Sequence, residues 1–342
     1  MGVMIRKEFL ERGGFKVADV EVFAKLDQNE SPFDLPIDLK EELWEDFRFV
    51  KWNRYPQPKD YYEKVKKKFS DIIGVEPDRL MLTMGADQGI YLFYSIIDGK
   101  IVIFEPTYPM FRGFARFVKA DIFEEILGIE YVIDETHIDK GDVFVIVSPN
   151  SPTGNLQNKE VVEYYLKNNK VVLVDEVYYP FCKWTVKDLI YKYENLVILR
   201  SFSKVGLAGI RLGYVISSPE YIQAMENAIF APYHLTLFNL FLFENFNKIA
   251  PYVEYYVQKI IEERERVYKE LSKYFKVYPS HTNFLLFEVE NPKKIFEDLV
   301  AKGVRVRDVS SLPGLSNHLR VTIGNREEND YFLNKIKEII SK

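Results

Sequence analysis

Short runs of uniformly apolar residues alternate with amphipathic stretches through the middle of the chain, and this alternation limits the possible folds most. The runs VFVIV at 143–147 and VVLVD at 171–175 carry apolar side chains at almost every position. Successive side chains of a strand point to opposite faces of the sheet, so such runs suit strands that are covered on both sides. Runs of this kind, alternating with helices, predict an α/β fold built on a largely parallel sheet.

The expected elements follow one another in a regular order. Helices are expected at 37–48, 60–73, 86–97, 108–118, 158–168, 185–193 and 219–229. Strands are expected at 79–83, 100–104, 121–126, 142–147, 170–174, 196–201 and 211–216. Because helices separate most of the successive strands, the order predicts one mostly parallel sheet flanked by helices.

The pattern changes after Pro251. One long amphipathic helix is expected over 252–275, with charge pairs at three- or four-residue spacing. A strand, a helix, two strands and a closing helix then follow, the first four of them expected at 283–290, 292–303, 304–309 and 318–324. This order predicts a second, smaller α+β domain.

These two patterns divide the chain into two domains. We place the large domain at 46–249, and we assign 1–45 together with 250–342 to the small domain. The sequence contains neither an internal repeat nor a low-complexity linker between the two parts. We therefore expect the two domains to pack tightly.

The composition excludes several classes of partner. A net charge of −5 over 342 residues argues against a nucleic-acid partner bound through a broad basic face. No apolar run approaches the length of a membrane span, and the four histidines lack the spacing of a metal site. The single cysteine, Cys182, suits a reducing compartment. We expect a cytoplasmic protein without a structural metal.

Polar clusters follow four of the expected strands. They are GADQGI at 85–90, SPNSPTG at 148–154, DEVYY at 175–179 and SFSK at 201–204. Each cluster alone could be a helix cap, a turn or a solvated loop. Open α/β sheets bind ligands beyond the carboxyl ends of their strands, so the four clusters together predict one binding site.

These clusters, with NESP at 29–32, RYPQP at 54–58, PTYPMF at 106–111 and LRVTIG at 319–324, resemble the class I and II aminotransferases. These are fold-type I enzymes that depend on pyridoxal 5'-phosphate. The resemblance extends over nearly the whole chain and rests on the order and spacing of the motifs. It implies an enzyme that transfers an amino group between small amino-acid and oxo-acid substrates, and it implies a homodimer.

The resemblance also assigns the residues around the cofactor. Lys204 attaches covalently to the cofactor aldehyde and later moves a proton, and Asp175 holds the pyridine nitrogen. Tyr178 donates to the ring's phenolic oxygen, and Tyr108 stacks on the ring. The phosphate is expected on the backbone of Ala86 and Asp87, with the side chains of Ser201, Ser203 and Arg211 and the neighbouring subunit's Tyr55 around it.

One position departs from the family pattern. Members of the family carry Asn immediately before the Pro-Thr-Gly turn, where its amide reaches the cofactor's phenolic oxygen. Here Ser151 occupies that position, and Asn150 precedes it. Either the Ser151 hydroxyl or the Asn150 amide could take this role, and the sequence does not decide between them.

Within the class, the chain is most similar to the histidinol-phosphate aminotransferases of histidine biosynthesis. The strings LDQNESP, TNFLLFE, GVRVRDV and LRVTIGNREEND carry this similarity. It implies glutamate as donor and an imidazole-acetol phosphate as acceptor. Arg320 would clamp the anionic end of the substrate, Arg307 would bind its phosphate, and Asn29 would lie in the substrate site. Either arginine could instead form a surface ion pair, and Arg307 adjoins Asp308.

Other interpretations remain open at this point. Aspartate or aromatic aminotransferases share the cofactor site, and threonine-phosphate decarboxylases often carry a His-Gly-Gly that Arg12-Gly13-Gly14 matches in part. The string SFSK also fits the Ser-x-x-Lys of penicillin-binding proteins, but Ser-Asp-Asn and Lys-Thr-Gly do not occur. A cofactor-binding regulator would need a DNA-binding helix-turn-helix, and we expect neither room for such a domain before RYPQP nor a basic recognition helix.

Overall fold

The structure is a computed structural model that describes residues 21–57, 60–128, 130–229 and 233–341. Arg12-Gly13-Gly14, the partial match to the decarboxylases, lies outside the described residues. So do the first 20 residues of the segment assigned to the small domain.

The helices and strands are defined here in chain order. The helices are α1 (Ile37–Phe47), α2 (Tyr61–Ile73), α3 (Gly85–Ile96), α4 (Met110–Val118), α5 (Lys159–Lys167), α6 (Tyr179–Cys182), α7 (Pro219–Asn227), α8 (Leu237–Glu244), α9 (Phe246–Leu271), α10 (Pro292–Ala301) and α11 (Arg326–Ile340). The strands are β1 (Ala24–Lys25), β2 (Leu80–Thr83), β3 (Ile101–Glu105), β4 (Ile122–Ile126), β5 (Val143–Val147), β6 (Val171–Asp175), β7 (Leu196–Ser201), β8 (Gly213–Ser217), β9 (Phe284–Glu288), β10 (Val304–Arg305), β11 (Arg307–Asp308) and β12 (His318–Thr322).

The large sheet contains all seven strands that the sequence predicts for the middle of the chain. Their order across the sheet is β2-β8-β7-β6-β5-β3-β4. Strand β8 runs antiparallel to both of its neighbours, and the other pairs are parallel. The carboxyl ends of the other six strands therefore lie at one edge, where β8 begins. The predicted α/β fold with a mostly parallel sheet is confirmed.

Two hydrophobic cores form on opposite faces of this sheet, as the uniformly apolar runs predict. In β5, Phe144 and Ile146 belong to one core, whereas Val143, Val145 and Val147 belong to the other. This division follows from the two-residue period of strand side chains. Every residue of β5 is buried, because helices cover both faces.

The C-terminal part forms a separate antiparallel sheet in the order β11-β12-β9. The predicted strand 304–309 is interrupted, because β10 pairs in parallel with β1 and β11 pairs with β12. Val306, between them, is buried. The pairing of β1 with β10 ties the N-terminal segment to the C-terminal part, and the domain boundaries given above stay a prediction.

One predicted helix is wrong. Residues 185–193 contain only a 3₁₀ turn, Lys187–Tyr191. The backbone N–H of Val186 donates to Glu176 Oε1 at 2.8 Å, and the Thr185 hydroxyl also bonds to this carboxylate. Because these tertiary bonds hold the start of the segment, an α-helix does not form there. Among the described residues, no helix has both the length and the apolarity that crossing a membrane requires.

Candidate active site

The amino terminus of α3 lies at the carboxyl edge of the large sheet, packed closely against the start of β8. A Cβ atom on Gly213 would lie 2.6 Å from the carbonyl carbon of Gly85, so this approach requires glycine. Gly85 itself has a φ of +72°, which glycine adopts without strain. No side chain caps this helix, so the first-turn N–H groups of Ala86 and Asp87 can meet an anion.

Three side chains from the end of β7 and the bend after it surround this helix terminus. Arg211 pairs with Asp87 at 3.0 Å and donates from Nη1 to the Ser203 hydroxyl at 3.3 Å. The Ser201 hydroxyl donates to Ser203 Oγ at 2.9 Å. The structure therefore brings together five of the six residues that the sequence predicts around the phosphate, all except Tyr55. Hydroxyl, guanidinium and backbone N–H donors are the groups that phosphate oxygens accept from.

Asp175 is buried at the end of β6. Its Oδ1 accepts a hydrogen bond from the backbone N–H of Val177 at 2.9 Å. Burial raises the pKa of Asp175 to about 7, and Asp87 adds to this while Lys204 opposes it. A protonated ring nitrogen at this carboxylate would restore its charged form by supplying a counter-charge.

Lys204 lies at the bend between Ser203 and Arg211, with its amine buried. Its Nζ donates to the Gln28 carbonyl at 3.3 Å. Burial lowers the pKa of Lys204 to about 8, and the positive charge of Arg320 contributes to the shift. A lysine whose pKa is this close to neutrality can act as a nucleophile and can carry a proton.

The phenol of Tyr178 lies between segments that are distant in sequence. Asn29 donates from Nδ2 to Tyr178 Oη at 2.8 Å. Burial raises the pKa of Tyr178, whereas Arg320, Asn29 and Ser151 act against this effect. The Tyr178 ring also packs edge-on against Phe284 of β9.

The two candidates for the missing family asparagine lie in different surroundings. Asn150 donates to the Pro106 carbonyl at 2.8 Å and to Thr153 Oγ1 at 2.7 Å, and it accepts from Thr107 at 2.9 Å. These bonds occupy its amide within the protein. The Ser151 hydroxyl instead accepts from Arg320 Nη1 at 3.3 Å, which places Ser151 with the site residues.

Tyr108 lies beside the predicted phosphate site. Its hydroxyl donates to Asp87 Oδ1 at 3.2 Å, and its ring packs edge-on against Phe111. Burial raises the pKa of Tyr108, and the negative charge of Asp87 adds to the rise. The hydrogen bond to Asp87 therefore orients a neutral phenol.

Arg320 and Arg307 come from the C-terminal sheet, where they form a cross-strand pair. Arg320 Nη2 donates to the Asp27 carbonyl at 2.7 Å. Within the described part of the chain, Arg320 bonds only to neutral oxygens, and its buried Nε has no partner. A buried guanidinium in such surroundings suits an incoming anion.

Tyr55, like the side chain of Asn150, is a predicted site residue that the structure does not bring to the others. Its side chain is 70% exposed and stacks on Tyr233, with ring centroids 4.6 Å apart. The described residues of this chain provide no contact between Tyr55 and the cluster around Lys204.

Sequence reasoning missed part of the site. The Asp27 carbonyl accepts a hydrogen bond from Arg320, and the Gln28 carbonyl accepts one from Lys204. Because every residue has a backbone carbonyl, the residue types do not identify these two. Thr322 hydrogen-bonds to Asn29 and was also missed. It lies two positions after Arg320 on β12, and this spacing places both side chains on one face of the strand. The two-residue period of strand side chains could therefore have identified Thr322 as a site residue.

The residues present fit pyridoxal 5'-phosphate. Its phosphate matches the uncapped terminus of α3, beside which the Ser203 hydroxyl and the Arg211 guanidinium lie. A buried carboxyl and a buried amine with shifted pKa values lie beyond it, at Asp175 and Lys204. The hydrolase alternative fits less well, because the Ser201 hydroxyl bonds to Ser203 and Leu212 whereas Lys204 bonds to Gln28.

Comparison with known proteins gives a consistent result. A family model described as aminotransferase class I and II matches residues 21–336. A histidinol-phosphate aminotransferase of Thermococcus gammatolerans is 35% identical over 331 residues, which cover 95% of this chain and 94% of that protein. One from Pyrococcus furiosus is 34% identical over 345 residues, covering 99% of each chain. The crystal structure of the histidinol-phosphate aminotransferase from Clostridium acetobutylicum matches with a TM-score of 0.85 and 25% identity, covering 93% of this chain and 99% of that one.

Proposed function

The chain belongs to the class I and II aminotransferase family, and we propose that it is a histidinol-phosphate aminotransferase. As a member of this family it is a pyridoxal-phosphate-dependent enzyme that acts on small molecules. The proposed reaction transfers an amino group between glutamate and imidazole-acetol phosphate. The identity to relatives of that name supports this substrate.

The cross-strand pair Arg307–Arg320 is the observation that carries the proposal for the substrate. A dianionic phosphate needs two cationic groups close together, and an amino acid carboxylate needs one. Arg320 is partly buried and has no carboxylate partner within the described residues, and Arg307 lies opposite it. Two guanidinium groups can therefore hold the phosphate of one substrate, and Arg320 can hold a carboxylate of the other.

The residues around the cofactor site have separate tasks in this proposal. Bound pyridoxal phosphate supplies an electron sink for the negative charge that develops on the substrate's α-carbon. Asp175 holds the ring nitrogen, and the donors around the terminus of α3 hold the phosphate. Lys204 removes and returns the proton at the α-carbon, for which a pKa of about 8 is suitable. Tyr178 and Ser151 would hydrogen-bond to the ring's phenolic oxygen.

We also propose that the enzyme is a homodimer with shared sites. Tyr55 is exposed and lies apart from the site of its own chain. Near it in sequence, Phe49 is 77% exposed and Trp52 is 58% exposed, and Trp44 packs edge-on against Trp52. Exposed aromatic groups of this kind indicate an interface, and a two-fold dimer is the commonest assembly of soluble proteins. A cytoplasmic location is proposed from the single cysteine.

A panel of substrates tests the proposed function. Purified enzyme loaded with cofactor should be yellow, and glutamate should bleach it. Among histidinol phosphate, histidinol, aspartate, phenylalanine and threonine phosphate, histidinol phosphate should give the highest kcat/KM in amino transfer. A preference for aspartate or phenylalanine would assign the chain to another aminotransferase. Release of carbon dioxide from threonine phosphate would assign it to the decarboxylases.

A further inference from the structure

Both the oxygen and the nitrogen of the Asn29 side-chain amide form hydrogen bonds within the protein, although the sequence predicts that this residue binds substrate. The Thr322 hydroxyl accepts from the backbone N–H of Asn29 at 3.0 Å and donates to Asn29 Oδ1 at 3.0 Å. Because the hydroxyl has one proton and a backbone N–H cannot accept it, that proton goes to the amide oxygen. Thr322 thereby fixes which end of the amide faces Tyr178.

The end that faces Tyr178 is the NH₂ group. Asn29 Nδ2 donates to Tyr178 Oη at 2.8 Å, and both residues are buried. Asn29 has a φ of 56°, a left-handed conformation that asparagine tolerates better than most residues. The Asn283 side chain holds its carbonyl at 2.9 Å. Three contacts from the C-terminal sheet and the segment before it therefore hold Asn29, two at its backbone and one, from Thr322, at its side-chain amide.

We propose that Asn29 is a positioning residue that sets the direction in which Tyr178 donates its proton. A phenol has one proton, and its oxygen here accepts from Asn29 and lies against the Ser151 hydroxyl. With the oxygen occupied as an acceptor, the proton is directed into the site, toward the phenolic oxygen of the bound cofactor. Acceptance from Asn29 also strengthens this donation, because hydrogen bonds in a chain polarise one another.

The same contacts link the cofactor to the substrate's anion site. Arg320 and Thr322 lie on one face of β12, and Phe284 of the neighbouring strand packs against both Arg320 and Tyr178. The role assigned to Asn29 rests on the cofactor chemistry of the proposed function and does not depend on which substrate is correct.

The test is a pH titration of the visible absorption of the cofactor-loaded enzyme, which requires no turnover. A hydrogen bond from Tyr178 would lower the proton affinity of the cofactor's phenolic oxygen, whose protonation the visible absorption reports. In Asn29→Asp the carboxylate accepts the Tyr178 proton and the donation is lost. The pH midpoint should therefore rise by about one unit, a tenfold change in proton affinity. Thr322→Val, which adds no charge and leaves the amide free to turn, should raise it by a smaller amount.

Two controls separate this role from a structural one. Thr282→Val alters an equally buried hydroxyl that bonds to Ser280 and Phe284, and it should leave the midpoint unchanged. In a Tyr178→Phe background, Asn29→Asp should add little further shift, because its effect passes through the phenol. An unchanged midpoint in both Asn29→Asp and Thr322→Val would overturn the proposal, as would an undiminished shift in the Tyr178→Phe background. Absence of any cofactor band in the unmutated protein would instead refute the proposed function.

Discussion

Arg307 and Arg320 lie directly opposite each other in the antiparallel pairing of β11 with β12. Directly opposed side chains have Cβ atoms about 4.5–5.5 Å apart, and like charges at this separation destabilise a sheet. Burial lowers the pKa of Arg320 to about 10, and the positive charge of Arg307 contributes to this shift. An anion bound between the two guanidinium groups relieves the repulsion, so the pair favours a phosphate-bearing ligand.

Arg307→Gln should therefore impair only the half-reaction whose substrate carries a phosphate. The lost charge-assisted hydrogen bond is worth about 1.5–3 kcal/mol, or roughly ten- to a hundredfold in kcat/KM for histidinol phosphate. Glutamate should still bleach the enzyme at nearly the original rate in stopped-flow absorbance measurements. Arg320→Gln is the matched comparison and should slow both half-reactions. An equal loss for glutamate and histidinol phosphate in Arg307→Gln would mean that Arg307 is structural.

Asn150 and Ser151 should respond differently to substitution, because only one of them has its side chain among the site residues. Asn150→Ala leaves buried partners without hydrogen bonds and should lower the free energy of unfolding by about 2–4 kcal/mol. Ser151→Ala should lower it by less than about 1 kcal/mol while changing the absorption spectrum of the bound cofactor. Urea unfolding and visible spectra of the two variants test this pair. The reverse pattern would place the Asn150 amide at the cofactor.

Lys204 should react with aldehydes at a lower pH than an ordinary lysine does. Only the neutral amine is a nucleophile, and burial holds the pKa of Lys204 at about 8, below the usual value for lysine. The rate at which apoenzyme captures the cofactor should therefore rise with pH up to about 8 and then level off. Arg320→Gln removes a positive charge that lowers this pKa, so the pH at which the rate levels off should be higher in this variant. A rate that keeps rising to pH 10 would show that the pKa of the Lys204 amine is not lowered.

The large sheet could be predicted from sequence because its signal is local. Strands such as β5 are apolar at every position, and the polar residues that follow them meet at one edge of a mostly parallel sheet. The split of 304–309 into β10 and β11 could not be predicted, since Val304 pairs with Ala24 whereas Arg307 pairs with Arg320. The role of Asn29 also depends on distant partners, because Thr322 and Tyr178 together fix its amide. The residues that adjoin Asn29 in sequence do not indicate either contact.

Mixing two defective variants tests whether the sites are shared between subunits. Lys204→Ala and Tyr55→Ala should each be nearly inactive, because one lacks the amine and the other lacks the tyrosine that reaches the neighbouring site. In a hybrid dimer, one site receives an intact lysine and an intact tyrosine. An equal mixture that is unfolded and refolded together should recover about a quarter of the original activity, since about half of random dimers are hybrids. Activity no greater than the sum of the two variants would mean that Tyr55 serves only its own chain.

The identity of the lysine that carries the cofactor is the most direct test of the whole account. Borohydride reduction of the loaded enzyme, followed by proteolysis and mass spectrometry, should place the pyridoxyl group on the peptide that contains Lys204. Lys204→Ala should still bind cofactor through Asp175 and the phosphate donors, but reduction should leave no covalent label. A pyridoxyl group on any other lysine of the unmutated protein would contradict the assignment of the site.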